Sequence, residues 1–543
     1  MSEKLPHFAP PAPTARRGRH WKPASFVAFA LLSLAALHHG FKRFTCSHAP
    51  LSHPEAVERS FSWSEIEPSR TLDWHKCFDK QYDCARLDVP LNWLEPSDAQ
   101  RAIIAVIRLR ATETADYRGA MIFNPGGPGG SGVWALKDHG EHLQTVVGKN
   151  HDIISFDPRG IGASVPRIEC WDSPQKKQFW DNQEVPVIDA HPGVLYDAFA
   201  RSIAYSVNCQ TTLRDTAILE HSSTASHARD MLEILNQLGQ DKLLYWGFSY
   251  GTVLGGTFAA MFPDRVGRLV SDGNVDYREW YLGEHINFIR DTDKVMKYFY
   301  ETCHEAGPLN CAFYQSSPKA IEDRHWKLLD SLRVNPVLLP AGESGPEVPE
   351  LVTYSKIKRL TSTTLYRPNY FFKPYAEILA ALEKGDAQPY YKFVAGGRAP
   401  IDSLCLAETV PPSVPLTSGA EGTDDAFPGV LCSDGEPFTD NVTQFEEYAK
   451  KVQELSTSAG AVNVLFRISC AGRTVRPVYR FSGPFEANTS FPIMFIANHA
   501  DNVTPLISAR NNSAGFPGSV VLIQNSYGVR RQPLLIRGAL YKG

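Results

Sequence analysis

Five residues, Gly247-Phe248-Ser249-Tyr250-Gly251, set a hydroxyl between two glycines in the G-x-S-x-G form. A serine hydroxyl attacks a carbonyl well only when it is exposed and a base takes its proton. Flanking glycines let the chain turn sharply without side-chain clash, which lifts the hydroxyl above a sheet and beside a helix N-terminus. A second stretch, Asn124-Pro125-Gly126-Gly127-Pro128-Gly129-Gly130-Ser131-Gly132, is made of small residues whose backbone N–H groups can approach a developing oxyanion. One donor is expected from Gly126 or Gly127 and another from the Tyr250 N–H. No GKS or GKT follows, so a phosphate-binding loop is a poorer match. A third stretch, Asn498-His499-Ala500-Asp501-Asn502-Val503-Thr504-Pro505, offers Asp501 as a carboxylate to orient a histidine imidazole and stabilise its charged form. A fourth, Asp157-Pro158-Arg159-Gly160-Ile161-Gly162-Ala163-Ser164, reads as a structural turn in which Arg159 pairs internally, rather than as direct catalysis by Asp157.

Strand-like runs stand in front of these motifs. Residues 120–123 run into the glycine stretch, 152–156 (DIISF) into Asp-Pro-Arg-Gly, and 243–246 into Gly-Phe-Ser-Tyr-Gly; residues 102–109 (AIIAVIRL) and 268–271 are similar. Met231, Leu232, Leu235 and Leu238 recur at helical spacing in 224–239, and a further helix is expected from Tyr250 to about Met261. Strand, turn and helix in alternation predict an α/β fold with a parallel sheet covered on both faces. From 276 to 430 aromatic, charged and proline-rich stretches replace the strands, which suits a helical cap with 366–375 in its own core. After a helix over 447–455 the strand pattern returns at 492–497 (PIMFIA) and 519–524 (SVVLIQ).

Together, NPGGPGGSG, DPRGIGAS, GFSYGT and NHADNVTP resemble the α/β-hydrolase serine peptidases of the prolyl aminopeptidase and tripeptidyl aminopeptidase family with a TAP-like C-terminal region. The likeness runs from about Trp74 to Gly528 and takes in Cys77, Cys84 and the Thr224-x-x-x-Ala228-x-Asp230 helix. It implies an α/β-hydrolase fold with a large helical cap insertion. It also implies an exopeptidase that works from the free N-terminus of a peptide, with Ser249 and Asp501 as triad members. The chain then divides into a targeting segment (1–44), an N-terminal core (70–275), a cap (276–430), a TAP-like core (431–528) and an atypical tail (529–543). Asp276, Glu279 and Glu284, at the cap edge, are candidates to hold the substrate α-ammonium. No cofactor and no metal is implied. An esterase or lipase would use the same core chemistry and stays an alternative.

The base is missing. In this fold the order is Ser, Asp, His. The family places Gly-His after the last strand, but Gly528 is followed by Val529, and no histidine follows His499. Three readings compete: His499 turns back to substitute; the protein is a natural pseudoenzyme, a non-catalytic binding protein; or, the favoured one, Val529–Gly543 is an incorrect translation. A Val-Arg pair can be encoded by GT-R-AG-R, which resembles an intron donor site, and read-through would give a short unrelated tail. Sequencing the transcript's 3′ end decides this, and a spliced message that still reads Gly-Val-Arg-Arg would sink the idea.

Composition bounds the rest. The 43 % hydrophobic and 21 % charged content excludes a disordered chain, and a net charge of −4 argues against a nucleic-acid partner. Residues 1–43 hold seven Lys and Arg against one Glu, ahead of and around the apolar run 24–37. That run suits a signal peptide or signal-anchor, putting the body in the secretory pathway, with the membrane as partner if it stays uncleaved. Ten cysteines fit that compartment. Cys77 with Cys84, Cys303 with Cys311, Cys170 with Cys209 and Cys432 with Cys470 are plausible bridges, and Cys46, beside the apolar run, is the candidate free cysteine. Sequons at Asn441, Asn488, Asn502 and Asn511 point the same way. Oligomeric state leaves no mark in the sequence.

Overall fold

A computed structural model describes residues 61–78, 81–342, 345–395, 409–415 and 423–528. The targeting segment, Cys46 and the tail 529–543 lie outside them. Nine strands form the main sheet in the order β1-β2-β3-β5-β4-β6-β7-β10-β11. They are β1 (His75–Cys77), β2 (Tyr82–Pro90), β3 (Arg101–Leu109), β4 (Ala120–Asn124), β5 (Asp152–Phe156), β6 (Leu243–Phe248), β7 (Val266–Asp272), β10 (Met494–Ala500) and β11 (Val520–Tyr527). β1, β2, β3 and β5 pair antiparallel in turn; from β5 through β4, β6, β7 and β10 to β11 every pairing is parallel.

Alternation along the strands builds two cores. Ile104, Val106, Ile122, Ile154 and Tyr245 join one apolar cluster, while their neighbours Ala105, Ile107, Met121, Phe123, Ile153 and Trp246 join another. Successive side chains of a strand point to opposite faces, so a strand buried on both sides reads as a continuous apolar run. Helix α1 (Gly132–Val147) fills one face. Helices α4 (Thr224–Gln237) and α5 (Tyr250–Met261) fill the other. Between β5 and α4 come α2 (Pro174–Asp181) and α3 (Val194–Thr212), neither anticipated from the sequence.

The insertion between β7 and β10 carries α6 (Tyr277–Leu282), α7 (Thr292–Ala306), α8 (Pro318–Val334), α9 (Tyr354–Thr364), α10 (Pro368–Leu382), α11 (Gln388–Ala395), α12 (Ala426–Asp434) and α13 (Val442–Leu455), with a small hairpin of β8 (Val337–Leu339) and β9 (Glu350–Val352). It divides by packing. Helices α7 to α11 surround their own core, which holds Phe299, Tyr375 and Tyr390. Residues of α12 and α13, including Val430, Phe445 and Val452, belong instead to the main core. The sheet resumes only at Met494, past the expected boundary at 431, although the chain rejoins the main core from α12 onward. Helix α14 (Leu506–Ser513) bridges β10 and β11.

All four expected disulfides are present: Cys77–Cys84, Cys170–Cys209, Cys303–Cys311 and Cys432–Cys470. The sequons separate. Asn441 and Asn488 are exposed. Asn511 is exposed but its amide donates to Asp276 (2.8 Å). Asn502 is buried, so a glycan there would have to displace packed chain. Among the described residues no helix is long and apolar enough to cross a membrane.

Candidate active site

β6 ends at Phe248 and α5 starts at Tyr250, which leaves Ser249 as the single residue of the turn. Its backbone sits at φ 54°, ψ −121°. A non-glycine residue with positive φ is uncommon and is held only by its surroundings. The two glycines of the motif are required by close approach. A Cβ on Gly247 would collide with Gly251 O, and one on Gly251 would lie 2.7 Å from Asn124 O. Ser249 N donates to Asp272 O (3.1 Å), and Thr252 N and Oγ1 both donate to Ser249 O (2.8 and 2.6 Å). The side chain remains partly exposed at the N-terminus of a buried helix.

The glycine stretch lies directly against this turn. A Cβ on Gly126 would run into Phe248 O, 2.9 Å from Ser249 Cβ and 3.1 Å from Tyr250 N. Asn124 Oδ1 accepts from Gly126 N (2.9 Å). Of the two glycines expected to supply a donor, Gly126 is therefore engaged, and Gly127 remains with Tyr250, whose N–H opens a helix and has no intrahelical acceptor. Below the loop Asp157 accepts from Ser131 Oγ (2.7 Å), Val133 N (3.1 Å) and Ala163 N (2.8 Å). Arg159 makes a fully buried bidentate pair with Asp230 (2.5 and 2.7 Å). This stretch is a brace between α1 and α4.

Asp501 follows β10 and is buried. Its Oδ1 accepts from Val503 N (2.9 Å) and Thr504 N (2.8 Å). Its Oδ2 is buried without a hydrogen-bond partner. Burial pushes its carboxyl above the usual range, against the pull of those two backbone bonds. The acid loop reaches the serine through Gly273: a Cβ there would be 3.2 Å from Thr504 Oγ1 and 3.9 Å from Ser249 N. β11 is clamped beside it, with Gly528 N donating to Ala500 O (2.9 Å) and Asn498 Nδ2 donating to Gly528 O (2.6 Å). His499 is exposed and turns its ring edge-on to Tyr527, at 5.9 Å between centroids. It makes no hydrogen bond to Asp501 Oδ2, which has no partner. Buried His227 meets Tyr250 Oη (3.0 Å), on the far side of α5, and burial lowers its pKa to about 3.

The three cap-edge carboxylates lie near one another, since Asp276 and Glu284 both help to raise the pKa of Glu279. Asp276 is buried, caps α6 through Glu279 N (3.1 Å), and accepts from Asn287 Nδ2 (3.1 Å) and Asn511 Nδ2 (2.8 Å). Glu279 accepts from Asn287 N (2.6 Å). Glu284 is exposed. Asp276 is the residue that caps the helix start, where an acidic side chain satisfies an orphan N–H group. Among the described residues no group of His, Cys, Asp and Glu is placed to hold a metal.

The strand order, the turn at Ser249 and the acid after β10 define an α/β hydrolase. Residues 119–306 match the α/β hydrolase fold family, and residues 456–531 match the family described as TAP-like protein. The tripeptidyl aminopeptidase of Streptomyces lividans is 28 % identical over 499 residues, 88 % of this chain and 84 % of that protein. The serine protease Hip1 of Mycobacterium tuberculosis is 31 % identical over 297 residues, 53 % of each chain. A carboxylesterase B of the same organism is 28 % identical over 305 residues, 56 % of this chain and 55 % of that protein. The chain thus has the α/β-hydrolase fold with a match to the TAP-like family, and its resemblance to the serine peptidases of the prolyl and tripeptidyl aminopeptidase family holds.

Proposed function

We propose that this fold performs acyl transfer through Ser249 and acts as an exopeptidase that releases residues or short peptides from the free N-terminus of a peptide. The observation that carries the chemistry is the positive-φ Ser249, flanked by the Gly126–Gly127 loop and the Tyr250 N–H. A base takes the Ser249 proton while Oγ attacks the scissile carbonyl. Gly127 and Tyr250 N–H groups hold the oxyanion, the leaving amine receives the proton, and water then releases the acyl group. Asp501 Oδ2 is the acceptor for the imidazole N–H that this scheme needs. The exopeptidase part rests on likeness to the tripeptidyl aminopeptidases. The four disulfides support an oxidising, secretory compartment.

Labelling with a fluorophosphonate tests the nucleophile: the Val529→His chain should label and the same chain with Ser249→Ala should not, and equal labelling refutes Ser249. A second reading, an esterase, is favoured by likeness to carboxylesterase B. A peptide anilide with a free N-terminus, its N-blocked form and a short acyl ester separate the two. Preference for the free-amine anilide supports the exopeptidase, and preference for the ester replaces it. If the spliced message keeps Val529 and nothing turns over, the binding-protein reading takes its place.

A further inference from the structure

A cavity of about 390 Å³ lies between the cap and the acid loop. Its walls include Asn502 and Val503, which directly follow Asp501, and Phe427 and Phe466, whose rings pack edge to face at 5.4 Å. Both sides of the cavity tie back to the site. On the acid side, α7 pins the loop through Thr292 Oγ1, which donates to Asn502 O (2.9 Å). On the opposite side, α12 is seated on the glycine stretch: Thr423 N donates to Gly129 O (2.8 Å), and a Cβ on Gly129 would lie 3.5 Å from Phe427 N. The cavity is therefore bounded by elements resting on the two loops that flank Ser249.

Its chemistry is specific. Among the described residues, no charged side chain lines it. Ile289, Val462, Leu465 and Ile468 add to an apolar wall. Three polar atoms in that wall, Ser362 Oγ, Asn463 Nδ2 and Asn502 Oδ1, are buried without a hydrogen-bond partner. Buried polar groups are normally satisfied, and an apolar wall with a few unspent donors and acceptors is the usual make-up of a small-molecule site. The volume falls within the range of about 300–1,000 Å³ typical of such sites.

Resting on the acyl-transfer reading above, we propose that this cavity receives the acyl side of the substrate and selects uncharged, apolar residues there, with Asn463, Asn502 and Ser362 taking main-chain groups. A side-chain carboxylate or ammonium seated there would lose its hydration without gaining a counter-charge, and is rejected.

The test is calorimetric binding to the full-length Ser249→Ala chain, which holds ligand without turnover. The probes are free tripeptides Ala-Ala-X with X as Leu, Phe, Glu or Lys. Leu and Phe should bind about tenfold or more tighter than Glu and Lys. Leu465 lines the cavity yet is half exposed, so Leu465→Glu should fold, weaken Leu and Phe about tenfold and narrow the gap to Lys. Equal binding across the series, no peptide binding, or indifference to Leu465→Glu overturns the pocket. The ranking in the unsubstituted cavity stands by itself if that variant fails to fold. Fluorophosphonate labelling of Ser249 in the Val529→His background keeps the two proposals apart: labelling without the ranking sinks only the pocket, and the ranking without labelling sinks only the nucleophile.

Discussion

The two halves of the site are built to different degrees. On the serine side, β6, most of α5 and Gly126 are buried, their close approaches are largely to backbone, and the brace below is an ion pair with no exposure. On the β11 side, the last strand leaves Val520 54 %, Leu522 48 % and Ile523 44 % exposed, and the acid beside it keeps one buried oxygen unpartnered. One half is rigid enough to store a strained serine. The other sets the acid beside the strand end, and the sequence continues from Gly528 with valine where the resemblance calls for a histidine. Pre-organisation of nucleophile and oxyanion donors persists without the base, because it is encoded in backbone packing, whereas the base is a single residue.

The sharpest way to break this comparison is to supply that residue. Val529→His should raise turnover of a free-amine peptide anilide by about 10³-fold or more, the scale lost when a triad base is removed. Combined with Ser249→Ala the gain should vanish. No gain in the single variant would place the defect elsewhere than the base.

On the serine side Gly126→Ala should be the most damaging small change. The new methyl meets Phe248 O, Ser249 Cβ and the Tyr250 N at once, in a backbone conformation alanine rarely adopts. In the Val529→His background kcat should fall by about 10²-fold or more, the usual cost of a lost oxyanion donor. A variant with full activity would show that the loop does not shape the oxyanion site. Deeper in the same half, Arg159→Met leaves Asp230 buried and unpaired, which should cost about 3–5 kcal/mol in denaturant unfolding. A loss below about 1 kcal/mol would mean that water reaches the pair.

Which parts of this were legible beforehand follows from the same contrast. The serine turn, the glycine stretch and the acid were readable because each demands particular residue types at fixed offsets beside a strand. Helix α3 and the division of the cap were not, since both depend on which apolar face meets which core, and that is decided by contacts such as Phe445 in the main cluster and Phe299 in the outer one. The carboxylates at 276, 279 and 284 carry two readings at once. Asp276 and Glu279 lie at a helix start, where capping and ligand binding call for the same side chains. Asn502 misled: its sequon is intact, yet it faces the cavity wall rather than solvent.

At the β11 side the expected effects are small. Leu522→Glu should change stability by no more than about 0.5 kcal/mol, as for an ordinary surface position. A loss above about 2 kcal/mol in urea unfolding would reveal that something covers this face, and the two halves would then be closer in completeness than they look.

A last effect separates the cap edge from both halves by pH. Burial is the main reason Glu279 is pushed up to about 7 from an ordinary 4.5; Asp276 and Glu284 add to it, and the bond from Asn287 N opposes it. The folded chain therefore holds the proton over a window where the unfolded chain has released it. The stabilisation tied to that proton is complete below about pH 4.5 and is lost as pH rises through about 7, since stability falls with pH wherever the native state binds more protons. Glu279→Gln cannot ionise and keeps a side chain that can accept from Asn287 N. Its melting temperature should run parallel to that of the unsubstituted protein below pH 4.5 and draw above it between pH 5 and about 7.5. Parallel curves across the whole range would mean that Glu279 titrates as an exposed carboxylate, which would return it to the set of groups able to meet a substrate ammonium.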